Sequence, residues 1–172
     1  QQDEYFSRYG LVLDTYLENR PELMLEDAVS VAASLVVSIR NQDALLDLLF
    51  VGDRAWRFTS GRGLAGTENM LEILACVASC NTSPFHALEQ LVLRHAAESS
   101  GFICIFLDWD RQRRQLVHRL RALRLPIKVI VVSQSGKNEM EEDDPMLDRP
   151  QDVWLLEAGN IQQSLDRVAR HP

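Results

Sequence analysis

Two short apolar runs in this chain each end in a single aspartate just ahead of a predicted helix. The run Tyr9–Leu13 leads to Asp14, and the run Gly101–Leu107 leads to Asp108. Alternating strands and helices of this kind build open α/β sheets, whose ligand sites lie at the carboxyl ends of the strands. We therefore predict that Asp14 and Asp108 face one crevice at that edge of a sheet.

The residues that follow the first aspartate predict a helix that is buried on most of its surface. After a polar, turn-rich stretch, Leu25–Arg40 is apolar almost all round, and its three serines recur at helical spacing. A helix without a broad polar face is enclosed by the rest of the protein. We expect Val31, Leu35 and Ile39 to lie in the core.

A hairpin and two further helices complete the first half of the chain. Ala44–Val51 and Ala55–Thr59 are separated by a three-residue turn, which is typical of an antiparallel hairpin. A helix is predicted over Glu68–Ser79 with Thr67 as its N-cap. Ser83, with a proline directly after it, predicts the start of the next helix.

The second half alternates more regularly between strands and helices. Its strands are predicted at Phe102–Leu107, Ile127–Val132 and Val153–Leu156, and its helices at Arg111–Arg124 and Ile161–Ala169. The first of these helices should turn Leu116, Leu120 and Leu123 inward, and the polar segment Ser133–Pro150 predicts a loop. Together these elements predict a doubly wound α/β fold with a mostly parallel sheet. Its central strands are the three apolar ones at residues 11–13, 102–107 and 127–132, and Ala55–Thr59 is an antiparallel edge strand.

Composition and charge narrow the class of protein. The 172 residues fit a single domain, 1–172, with 46% hydrophobic and 25% charged residues. A net charge of −7 argues against general nucleic-acid binding, and no apolar run approaches the roughly 18 residues of a membrane span. The three cysteines make neither a disulfide framework nor a zinc motif, so we expect free thiols and a cytoplasmic location. Because the chain begins with Gln1 instead of methionine, we expect it to be a piece of a longer protein.

Five segments of the chain have the sequence pattern and the order of a known kind of domain. They are Leu11–Thr15, Glu26–Leu35, Gly61–Leu64, Asn69–Ala75 and the strand that ends at Asp108. This order resembles a von Willebrand factor A-like domain, and more narrowly the bacterial domain-of-unknown-function 58 family. The resemblance implies a protein-interaction module that works beside a MoxR-type AAA+ ATPase. It also implies tethering to a membrane through segments that this chain does not contain.

The resemblance further implies a metal-ion-dependent site, which this sequence preserves only in part. Von Willebrand A domains carry Asp-x-Ser-x-Ser at the first strand tip with a distant Thr and Asp, and hard cations bind such oxygen ligands. Asp14, Thr67 and Asp108 match, but Tyr16 and Glu18 stand where the family has serines. We expect the degenerate set Asp14, Glu18, Thr67 and Asp108 to bind no cation tightly, with Mg²⁺ held weakly at most. In that case the two aspartates hydrogen-bond to nearby helices or loops.

A basic helix face is a second candidate surface. Arg111, Arg114 and Arg121 lie along one face of the helix that follows the second strand tip, opposite the leucines. Such a face is either simply solvated or binds an acidic partner surface or membrane headgroups. The acidic segment Glu139–Asp144 is a candidate to shield it within the molecule. These three arginines, with Thr15 at the first strand tip, are the candidate partner-binding residues.

Two functions from different classes fit these residues. The first is a non-enzymatic module that binds a protein partner. The alternative is an Mg²⁺-dependent hydrolase or phosphoryl-transfer enzyme that uses Asp14 and Asp108. The alternative lacks a phosphate-binding loop and a paired Asp-x-Asp at the first tip, and the four histidines are scattered. We therefore predict an interaction module without enzymatic activity.

Overall fold

The apolar runs of the sequence form the strands of one sheet. The structure is a computed structural model that describes residues 7–39, 44–60, 64–136 and 140–164. Within these ranges the strands are β1 Ser7–Leu13, β2 Ala44–Val51, β3 Ala55–Ser60, β4 Gly101–Phe106, β5 Ile127–Ser133 and β6 Val153–Glu157. The helices are α1 Glu22–Ile39, α2 Leu64–Ala75, α3 His86–His95 and α4 Arg111–Ala122, with 3₁₀ turns at Ala96–Glu98 and Pro150–Asp152.

The strand order is β3-β2-β1-β4-β5-β6. The β2–β3 pair is antiparallel and the other four pairs are parallel, so the predicted adjacency of β1, β4 and β5 and the antiparallel edge strand are confirmed. The chain leaves β1 toward β2 on one side and returns to β4 on the other. The gap between the carboxyl ends of β1 and β4 is therefore the switch point at which open α/β sheets form ligand sites.

The alternation of side chains along β1 divides the core into two layers. Val12 packs into the layer that holds α3 and α4, whereas Leu11 and Leu13 pack into the layer of α1 and α2. Both layers consist mainly of buried aliphatic and aromatic side chains. This double burial explains why the central strands read as continuous apolar runs.

Helix α1 is buried along a narrower stripe than its composition predicts. Val31 is buried as expected, but Leu35 and Ile39 are only half-buried, so the prediction that they lie in the core is wrong. The inward stripe runs through Ala28, Ala32 and Val36, the one-turn spacing of a helix. Leu35 and Ile39 lie at the margin of this stripe. They pack against the core on one side and contact solvent on the other, although they are as hydrophobic as the buried residues.

Three predicted helix details are also wrong. Helix α2 begins at Leu64, so Thr67 lies within the helix and is buried there instead of capping it. Ser83 does not cap α3, because the helix begins at His86 with Phe85 in the N-cap position, and the Ser83 hydroxyl instead contacts Tyr16 Oη at 3.1 Å. Leu123 is 55% exposed because α4 ends at Ala122, whereas the other two predicted inward leucines are fully buried.

The last segments agree with the predicted loop and strand. Residues 140–149 form turns without regular structure, and residues 161–164 are helical. Some sequence predictions concern residues outside the described ranges. These residues are Gln1, Arg40, Gly61–Gly63, Glu139 and 165–169. In the described ranges no helix combines the length and the apolar character needed to cross a membrane.

Candidate functional site

Asp14 lies at the switch point and is completely buried. Its backbone N–H continues the pairing of β1 with β4 by donating to Ile105 O at 2.9 Å. Its carboxylate accepts three N–H groups, from the Tyr16 amide at 2.9 Å, the Leu107 amide at 3.0 Å and the Arg113 Nε at 2.6 Å. The carboxylate therefore ties together the tips of both strands and the first turn of α4.

Arg113 is the site residue that the sequence predictions missed. Its side chain is fully buried, and besides Asp14 it donates from Nη1 to Asp110 Oδ2 at 2.7 Å and from Nη2 to Tyr16 O at 3.2 Å. The guanidinium lies over the Phe85 ring, 4.9 Å from its centroid. A signal for this burial exists in the sequence, because residues 113, 116, 117 and 120 follow the i, i+3, i+4, i+7 spacing of one helix face.

The surroundings of Arg113 keep it charged. Burial alone lowers the pKa of a guanidinium, but the negative charges of Asp14, Asp110 and Asp108 outweigh that effect and raise the pKa of Arg113 above its ordinary value. Asp110 also forms the N-cap of α4, since its side chain accepts the Arg113 amide at 3.1 Å. The N-cap and the ion pairs thus fix the first turn of α4 against the strand tips.

Thr15 and Tyr16 point into the protein and not toward a partner. Thr15 is fully buried, and its Oγ1 donates to Val51 O at 2.5 Å, which joins the tips of β1 and β2. The Tyr16 ring packs edge-on against Phe85 with centroids 5.6 Å apart, and burial raises the pKa of its phenol to about 12. Thr15 is therefore inaccessible to a partner in this conformation.

Asp108 and Glu18 reach the surface, unlike the buried Asp14. Both carboxylates meet Arg20, which pairs closely with Asp108 and lies 3.5 Å from Glu18. The Asp108 carboxylate also accepts the Trp109 amide at 2.7 Å. Asp108 and Glu18 thus both pair with Arg20, and neither of them contacts Asp14.

Solved structures with this arrangement of strands and helices share little sequence with the chain. The manganese-loaded TRAP protein of Plasmodium vivax matches with a TM-score of 0.62 and 11% identity, over 95% of this chain and 71% of that one. A von Willebrand factor type A structure from Catenulispora acidiphila matches with a TM-score of 0.51 and 7% identity, over 95% of this chain and 42% of that one. The fold is von Willebrand A-like. A further match is the conserved hypothetical protein BatB from Bacteroides thetaiotaomicron, with a TM-score of 0.51 and 12% identity over 95% of this chain and 98% of that one.

Comparisons of sequence alone add no further relationship. No protein-family model matches the chain, and no curated protein matches it. The von Willebrand A-like assignment therefore rests on the architecture of the sheet and its helices.

The residues at the von Willebrand A-like strand tip do not fit a divalent cation. The Asp14 carboxylate already accepts three N–H groups, one of them from the guanidinium of Arg113. Thr67 is buried within α2, and Glu18 and Asp108 share Arg20 on the surface. In the part of the chain that the structure describes, no three His, Cys, Asp or Glu side chains converge into a metal-binding group.

The basic face of α4 is largely paired within this von Willebrand A-like domain. Arg114 lies 2.8 Å from Glu141, and Arg121 Nη2 lies 2.7 Å from Asp148 Oδ2. The hydrogen bond from Arg121 holds the pKa of Asp148 at about 2, well below its usual value. Arg111 is exposed. Two of the three candidate arginines thus hold the acidic loop against the helix.

Buried side chains fasten the same loop from below. Trp109 Nε1 donates to Asp144 at 2.6 Å, and the Asp144 carboxylate also accepts the Met146 amide at 2.8 Å. Both Asp144 and Met146 are buried, and Met146 belongs to the layer of α3 and α4. Residues 140–149 are therefore a strap across α4, although the sequence shows only a polar loop.

An open groove of about 920 Å³ lies between β3 and α2 of the von Willebrand A-like domain. One wall is an aromatic ladder of Phe50, Trp56 and Phe58, in which the Trp56 and Phe58 rings stack 5.4 Å apart. The other wall carries apolar side chains of α2, including Met70 and Ile73. The sequence predictions missed this groove because its two walls come from different elements.

Proposed function

We propose that this von Willebrand A-like domain is a non-enzymatic protein-interaction module that holds a segment of its partner in the groove between β3 and α2. The observation that carries this proposal is the aromatic ladder that lines an open groove, in which Phe50 is buried and Trp56 and Phe58 are half-buried. Aromatic side chains are enriched at protein interfaces and dominate their binding energy. An aromatic wall opposite an apolar helix face gives a partner side chain two surfaces to pack against.

The charges of the groove indicate the chemistry of the partner segment. Asp53 and Glu72 are the charged side chains among the described lining residues, and both are carboxylates. Asp53 also accepts the Trp56 indole N–H at 3.0 Å, which fixes the ring in the wall. Because Asp53 already accepts the indole N–H and Arg54 already lies 3.9 Å from the Trp56 ring centroid, we expect a partner segment with apolar side chains and a lysine or arginine opposite Glu72.

The likeness to the domain-of-unknown-function 58 family directs the choice of partner. Proteins of that kind work beside MoxR-type AAA+ ATPases, and we propose such an ATPase as the partner of this domain. We further propose that the domain acts in the cytoplasm as part of a longer, membrane-tethered protein. An interaction module needs no cofactor, and we propose none.

The geometry of Asp14 speaks against the hydrolase alternative. A general base or a metal ligand needs a free oxygen lone pair that faces the substrate. The Asp14 carboxylate is fully buried and accepts three N–H groups, one of them from Arg113. The Asp108 carboxylate is engaged by Arg20 and by the Trp109 amide, and by itself it supplies no grip on phosphate.

Trp56→Ala is expected to weaken binding of a purified MoxR-type ATPase by at least about tenfold, since loss of an aromatic hot spot is typically of that size. Biolayer interferometry on the immobilised domain measures the change. Trp154→Ala is the matched control, because Trp154 is also a half-buried tryptophan but lies on the opposite edge strand. Each ring has a cation over it: Lys128 is 5.7 Å from the Trp154 centroid, and Arg54 is 3.9 Å from the Trp56 centroid. Equal binding by wild type and Trp56→Ala would exclude the groove as the interface.

A further inference from the structure

The guanidinium of Arg113 occupies a pocket whose hydrogen-bond acceptors are all oxygen atoms. They are Asp14 Oδ2 at 2.6 Å, Asp110 Oδ2 at 2.7 Å and the backbone oxygen of Tyr16 at 3.2 Å. Two carboxylates and a carbonyl are the ligand types that hard cations such as Mg²⁺ and Ca²⁺ select. The surroundings of this arginine are thus chemically those of a cation site.

We infer that Arg113 is a built-in cation, which fills from within the chain the position that a divalent cation would take at the tip of β1. The inference concerns this buried cluster alone and does not depend on the proposed function. A guanidinium stays protonated at any physiological pH, and its covalent link to α4 keeps it in place at any metal concentration. Arg113 therefore holds the strand tip in one arrangement whether or not metal ions are present.

The built-in cation also closes the tip to direct coordination by a partner. Arg113 has no exposed surface. Asp108, which acts electrostatically on Arg113, reaches the surface and pairs there with Arg20, as Glu18 does. A partner carboxylate that approaches this edge meets the mixed charges of these surface side chains and not a bare cation. Recognition at this edge thus differs in kind from coordination to a metal ion.

The first test measures the response of the whole wild-type chain to metal ions. Thermal unfolding is followed by circular dichroism in EDTA, in MgCl₂ and in MnCl₂, and MnCl₂ is titrated into the folded protein by calorimetry. We expect the same unfolding midpoint in all three solutions and no heat of tight binding, because the position is already filled. Micromolar Mn²⁺ binding that raises the midpoint and disappears in Asp14→Asn would overturn the inference.

The second test asks whether the position requires a charge or only a filled volume. Arg113→Lys keeps a cation on a flexible chain, whereas Arg113→Met fills similar space without charge. We expect the midpoint of Arg113→Met to lie well below that of Arg113→Lys. Arg114→Met is the matched control, since Arg114 is the next residue of α4 but pairs with Glu141 at the surface, and it should change the midpoint little.

The outcomes of the second test separate a charge from a packing role. Equal midpoints for Arg113→Lys and Arg113→Met would mean that the side chain only fills space, which would overturn the inference. A folded Arg113→Lys beside an unfolded Arg113→Met would support it. If both variants unfold, the wild-type titration still decides, because it needs no substitution of Arg113.

Discussion

Replacing Asp14 by alanine is expected to lower the free energy of unfolding by about 3–5 kcal/mol, the range for breaking a buried ion pair from one side. The substitution leaves the fully buried Arg113 without its shortest contact, and the amides of Tyr16 and Leu107 lose their acceptor. Unpaired buried groups of this kind cannot recover hydration within the protein. Urea unfolding followed by circular dichroism measures the loss.

A double-mutant cycle isolates the ion pair from the rest of this effect. Asp14→Ala combined with Arg113→Met removes both charges, so its loss should be smaller than the sum of the two single losses by about 0.5–3 kcal/mol. Glu141→Ala, which removes the surface partner of Arg114, should cost only about 0–1 kcal/mol. A loss below about 1 kcal/mol for Asp14→Ala would contradict the ion pair as a structural anchor.

The second large effect is expected in α4, where two leucines three positions apart have opposite surroundings. Leu120→Ala should lower the free energy of unfolding by about 2–5 kcal/mol, because Leu120 is completely buried between the helix and the sheet. Leu123→Ala should change it by no more than about 0.5 kcal/mol, since that side chain is 55% exposed beyond the end of the helix.

The two leucine variants remove the same atoms, so their difference reports burial alone. Leu120 lies within α4 and Leu123 just beyond its end, but the difference in helix propensity between leucine and alanine is only a few tenths of a kcal/mol, well below the difference expected here. Urea unfolding of the two proteins under identical conditions gives the comparison. Similar losses for Leu120→Ala and Leu123→Ala would mean that α4 ends later, or packs differently, than the structure has it.

The ion-paired tip and the open groove have different consequences for recognition. At the tip, Asp14 and Arg113 neutralise each other inside the protein. At the groove, Trp56 and Phe58 remain partly accessible. Binding energy at an interface comes mainly from apolar anchors that lose contact with water. The strand-tip carboxylates are thus paired within the protein, whereas the aromatic wall keeps apolar surface in contact with water.

The sequence by itself determined the architecture of the sheet. Strands buried on both faces must be apolar throughout, which makes β1, β4 and β5 recognisable from local composition. The hairpin of β2 and β3 is recognisable because its short turn allows only antiparallel pairing. Apolar runs that end in aspartate also placed Asp14 and Asp108 correctly at the ends of neighbouring strands.

Only the tertiary structure decided what surrounds these residues. Asp14 and Asp108 follow similar runs, yet one is sealed by Arg113 and the other is paired at the surface with Arg20. Arg113 and Arg114 are adjacent, and a rotation of about 100° along the helix places one in the core and the other at the half-buried surface, where it pairs with Glu141. The reason is physical: a local pattern reports the hydrophobicity of a segment, whereas burial of a charge depends on partners that arrive from distant segments.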